Sequence, residues 1–127
     1  MDQRTAAGRG DGRASMYSLD DLQGITVRNP EGEDLGKLED VVVDGRSGRV
    51  AYAVLSFGGF LGMGGKHFAI PWQALQEGST PEYVILDIPK ERLEKAPGFD
   101  EDDPPTYSDQ RWGTQIYEYY GYQPYWG

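Results

Sequence analysis

Cysteine is absent from this sequence, which excludes a disulfide framework, a thiol nucleophile and a thiolate-held metal. Histidine occurs once, as His67, so no second imidazole is there to share a metal or a proton relay. No window approaches the roughly 20 apolar residues that a membrane span needs. The opening residues, MDQRTAAGRGDGRAS, lack the apolar stretch of a signal peptide. The expectation is a soluble, cytoplasmic protein with no membrane span. Basic residues are also scarce: 12 Lys and Arg stand against 21 Asp and Glu, for a formal charge of −9. Phosphate neutralisation needs clustered cations, and here they are scattered singly among acids, which argues against direct nucleic-acid binding.

What is there fits one domain. The chain has 127 residues, 38% of them apolar, enough for one compact core. Its organising stretch is Gly36 to Trp72, where apolar and β-branched runs are separated by a tight polar turn and a glycine-rich loop. That pattern predicts a small antiparallel sheet. Val41, Val42 and Val43 lead into Asp44-Gly45-Arg46-Ser47-Gly48, whose glycines are expected to supply the positive φ angles of a hairpin, and Val50 to Phe57 runs back.

Taken in order, residues 1–16 carry no periodicity and are expected to be disordered. Ser18 is a candidate N-cap, with Asp21 in the capping-box position. Gly24 to Arg28 reads as a strand, and Asn29-Pro30-Glu31-Gly32 as a turn. From Leu35 to Asp44 the apolar parity slips, which a β-bulge or sharp coil near Glu39-Asp40 would explain. Val50 to Phe57 is apolar on both faces apart from Ser56, so something must cover its second face. Phe68, Ile70 and Trp72 alternate as another strand, Trp72 to Gln76 reads as one helical turn, and Tyr83 to Ile88 is a fifth strand. Pro89 to Ala96 reads as a short helix stopped by Pro97-Gly98. These elements place the globular domain at 17–98. The fold expected is all-β, a small barrel of five to six strands with a short helix after the last strand.

Residues 99–127 are an acidic, proline-stiffened linker and an aromatic tail that holds more than half of the chain's aromatic residues. Trp112, Ile116 and Tyr119 or Tyr120 recur at helical spacing, and Gly121 stands where a left-handed cap would end a short helix. Such a helix could cover its own barrel, cover a neighbouring copy by exchange, or dock on a separate partner.

The order of these signals resembles the PRC-barrel domain, found in the cytoplasmic part of the photosynthetic reaction-centre H subunit and at the C-terminal end of a ribosome maturation factor. The carriers are Gly24 with its strand, Gly32-Glu33-Asp34-Leu35-Gly36-Lys37-Leu38-Glu39-Asp40-Val41-Val42-Val43-Asp44, Arg49-Val50-Ala51-Tyr52-Ala53-Val54-Leu55, and Phe68-Ala69-Ile70-Pro71-Trp72. The resemblance covers about residues 18 to 90. The membrane helix of the one relative and the RNA-processing domain of the other are missing. It implies a stand-alone bacterial docking or assembly module without enzymatic activity, with an RNA- or ribosome-associated adaptor or a reaction-centre-H-like photosynthetic accessory protein as alternatives.

No candidate site survives as catalytic or cofactor-binding. The loop Gly58 to Gly65 invites a phosphate-cradle reading, but no GK[ST] follows and no helix begins at Lys66. His67 could act as a general base with Glu39 or Asp40, yet no nucleophile can be placed with it. Asp100, Glu101, Asp102 and Asp103 lack the glycine turn and distant glutamate of a calcium loop. The expectation is therefore no catalytic residue, no cofactor and no metal. The interaction candidates are Phe60, Leu61 and Met63 in the glycine loop and Trp112, Ile116, Tyr119, Tyr120 and Trp126 in the tail. The partners expected are a second copy in a homodimer or higher assembly, or another protein.

Overall fold

The computed structural model describes residues 16–57 and 66–126. Phe60, Leu61 and Met63 lie outside the described residues. The chain begins with helix α1 (Leu19–Leu22), capped as its sequence predicts: the Ser18 hydroxyl accepts from the Asp21 amide, and the Asp21 carboxylate accepts from the Ser18 amide. The strands are β1 (Thr26–Arg28), β2 (Asp34–Val43), β3 (Val50–Phe57), β4 (Lys66–Pro71), β5 (Leu75–Glu77), β6 (Tyr83–Leu86) and β7 (Phe99–Asp100). A 3-10 turn (Trp72–Ala74) precedes β5, α2 (Lys90–Glu94) follows β6, and α3 (Gln110–Tyr119) closes the chain.

All seven strands join one sheet in the order β5-β6-β1-β2-β3-β4-β7. The expected barrel is corrected on three points. The sheet has seven strands rather than five or six; β5 and β7, of three and two residues, are too short to show alternation in sequence. The sheet is not closed, since β5 and β7 stand at its two ends and do not pair among the described residues. It is not wholly antiparallel either, because β6 returns alongside β1 in parallel, with Thr26 opposite Tyr83. The domain is mixed α/β: among the described residues three α-helices accompany the sheet, and the longest of them lies in the tail.

Two bulges bend the central strands. Leu38 faces Leu55 and Asp40 faces Val54, which leaves Glu39 as the extra residue. The bulge puts Leu38 and Val41, three apart, against the same core, and it accounts for the parity slip in the sequence. Val43 faces Val50 and Val42 faces Tyr52, so Ala51 is extra on β3. In the hairpin between these strands Gly48 takes the left-handed conformation, at φ +79°, whereas Gly45 does not.

The inner face of the sheet buries Val27, Leu35, Leu38, Ala53, Leu55, Phe68 and Ile70 together with Leu93 of α2. Asn29, the buried polar residue of the β1–β2 turn, donates to Glu33 and to the Ile88 carbonyl and accepts from the Glu33 amide. Strand β3 is covered on both faces, as its apolar run requires. Its outer face holds a second cluster, built on Ala51, Tyr52, Ala69, Ile116 and Tyr117. The tail therefore packs on its own sheet. Apolar surface on the outside of β3 and β4 is thus buried by a helix.

Candidate functional site

The tail forms α3 and a returning segment that pack on the sheet. Asp109 caps α3, its carboxylate accepting from the amides of Arg111 and Trp112. The helix ends in a Schellman motif: the Gly121 amide bonds to the Glu118 carbonyl at 3.1 Å and the Tyr122 amide to the Tyr117 carbonyl at 2.9 Å. Gly121 has φ +85°, the left-handed cap that the sequence predicts.

Gly113 lets this helix approach the sheet. A Cβ there would collide with the Tyr52 hydroxyl and the Trp126 ring. Tyr52 is buried under the helix, with its ring centroid 5.2 Å from Trp112 and 5.6 Å from Tyr117. Tyr117 donates a hydrogen bond of 2.8 Å to the Ala51 carbonyl, and burial pushes its hydroxyl up to about 12. The Tyr52 hydroxyl is buried with no hydrogen-bond partner among the described residues, and burial raises it further. After the cap the chain doubles back, placing Trp126 5.1 Å from the Tyr117 ring. Tyr125 donates to the Asp44 carboxylate at 2.5 Å, while Arg49 lies 5.3 Å from the Tyr125 ring centroid. The hydrogen bond from Tyr125 holds the Asp44 carboxyl below its usual range. Tyr125 itself is pushed up to about 12, by loss of solvent and then by its hydrogen bond to the Asp44 carboxylate and that group's charge.

A second tie joins the tail to α2. Arg92 donates to the Tyr119 carbonyl, and the Tyr119 hydroxyl donates back to the Arg92 carbonyl, both at 2.6 Å. The Arg92 guanidinium lies 4.5 Å from the Tyr119 ring centroid. Beside this tie opens a groove of about 350 Å³, lined in part by Gln76, Asp87, Arg92, Glu118, Tyr120 and Tyr122. The Tyr120 hydroxyl is buried without a hydrogen-bond partner among the described residues, and loss of solvent raises its pKa.

The candidate tail residues thus divide. Ile116 is 1% exposed and belongs to the second core. Trp112 and Trp126 are half-buried against that core. Tyr119 and Tyr120 are half-buried at the groove. Reading the spacing alone misses Tyr117, the most deeply buried tail residue, although it stands four residues after Gly113 on one helical stripe. It also misses Asp87, Arg92 and Tyr122, which carry no local motif. His67 stacks edge-on against Phe99 at 5.7 Å, and among the described residues no group of three or more His, Asp or Glu could hold a metal. No helix among the described residues is long and apolar enough to cross a membrane.

Comparison with protein families matches residues 14–93 to the PRC-barrel domain. No curated protein matches the chain. The match takes in the sheet from β1 to β6 and ends on α2, so the tail that builds the second core lies beyond it.

Proposed function

The chain belongs to the PRC-barrel domain family, and from that premise we propose that it is a non-catalytic protein-binding module of the bacterial cytoplasm. One observation carries the reading: the tail, outside the matched domain, seals the outer face of β3 and β4 and forms a groove where it meets the domain. A surface built jointly by a docking domain and its own extension suits recognition of another protein. The module also assembles with itself as a homodimer; Met16 just before α1 and Leu19 at its first position, 87% and 61% exposed, are apolar side chains available to a second copy.

Charge argues against the RNA-adaptor alternative. An RNA-binding face would have to be assembled from Arg28, Lys37, Arg46 and Arg49; of these, Arg28 lies 4.7 Å from the Tyr83 ring centroid and Arg49 lies over Tyr125, while the whole chain carries −9. No observation favours a reaction-centre accessory role over other docking roles.

Capture of partners by the full chain from native cells, followed by cross-linking mass spectrometry, tests the reading. Protein cross-links to the tail–domain junction support it. Capture that is abolished by nuclease and falls steeply with salt overturns it in favour of RNA. Sedimentation over a concentration series tests the dimer, which a strict monomer excludes.

A further inference from the structure

The groove between the β6–α2 connection and the end of α3 has a composition of its own. Tyrosines 119, 120 and 122 contribute aromatic surface, and Asp87 and Glu118 contribute two exposed carboxylates. Neither carboxylate has a hydrogen-bond or ion-pair partner among the described residues. Arg92 is already committed to the Tyr119 carbonyl and ring. It also shows that a guanidinium fits the face of a tyrosine here. What remains for a visitor is net negative charge beside aromatic rings, in a chain whose charge of −9 attracts cations from a distance.

We propose that this groove binds an arginine side chain in a basic segment of a partner protein, an assignment that rests on the protein-binding reading above. Arginine suits it better than lysine because its planar fork can meet a carboxylate while its face stacks on a ring. The tail supplies Glu118 and the tyrosines, and the matched domain supplies Gln76 and Asp87, so neither part makes the site alone.

The test uses isotope-labelled full-length protein and two blocked peptides, Gly-Ser-Arg-Ser-Gly and its citrulline counterpart, which keeps the shape and removes the charge. Amide shifts are expected at positions 76, 87 and 118–122, with citrulline binding at least about tenfold weaker. The double variant Asp87→Asn, Glu118→Gln, both at exposed positions, should weaken the arginine peptide about tenfold with an unchanged spectrum elsewhere. Glu101→Gln with Asp103→Asn removes equal charge outside the groove and should leave binding within about twofold. Equal binding of citrulline, shifts centred elsewhere, or equal loss in the two double variants overturns the assignment. If cross-linking captures a protein partner while the arginine peptide fails, the groove assignment falls and the protein-binding reading stands; if neither gives binding, both fall.

Discussion

The hydroxyl of Tyr117, in the middle of the C-terminal helix, hydrogen-bonds the carbonyl of Ala51, the extra residue of the β3 bulge. Ala51 has no partner in register on β2 or β4. A bulge leaves a residue outside the ladder, and here a tail residue 66 positions away satisfies it. Tyr117→Phe keeps the ring and removes the donor. The expected result is a loss of about 1 to 2 kcal/mol of stability in chemical denaturation. No loss would show that the carbonyl is satisfied some other way.

Gly113→Ala sets two effects against each other. Alanine improves helix propensity by about 1 kcal/mol. The added methyl, however, meets the Tyr52 hydroxyl and the Trp126 ring, and overpacking costs about 1 to 3 kcal/mol. The close approach should win, so the melting temperature is expected to fall. A rise would mean that α3 can lift from the sheet at little cost.

Removing residues 106–127 uncovers Ala51, Tyr52 and Ala69 on the outer face. The truncated chain should melt at lower temperature and either bind a hydrophobic dye or self-associate. Unchanged stability with unchanged mass would reduce the tail to an ornament on the domain.

High pH should loosen the tail before the rest. An unfolded tyrosine ionises near 10, whereas Tyr117 and Tyr125 are pushed up to about 12 in the fold. The folded state holds these protons more tightly, so their contribution to stability is complete below about pH 10 and is lost as the pH rises towards 12. Ultraviolet absorbance of tyrosinate and near-ultraviolet circular dichroism should change together over that interval. Tyrosine titration finished near 10 with the tail still ordered would contradict it.

Acid acts on the opposite partner of the same contact. Asp44 is depressed in the fold, so its contribution is present above the ordinary carboxylate range and is lost as the pH falls through its folded value. Tyr125→Phe should move the Asp44 carboxyl back towards the ordinary range, as read by carbon-detected titration. An unmoved Asp44 would assign the depression to the hairpin backbone and Arg46 instead.

Much of this protein is local and therefore readable from sequence. The Ser18 capping box, the bulge at Glu39, the two-sided run from Val50 to Phe57 and the left-handed Gly121 each rest on residues a few positions apart. Side-chain chemistry and apolar parity over such distances leave the backbone few choices. The PRC-barrel resemblance was carried by the same local signals. Other features bring together residues that share no local pattern. The parallel pairing of β1 with β6, the edge strands β5 and β7, the covering of Tyr52 by α3 and the groove between Asp87 and Glu118 all join distant segments. Periodicity declared that β3 needed cover on its second face and that the tail had an apolar face to bury. Matching them on one chain took the tertiary structure, because burial rewards any apolar contact alike and only shape, here the absent side chain at Gly113, selects which surfaces meet.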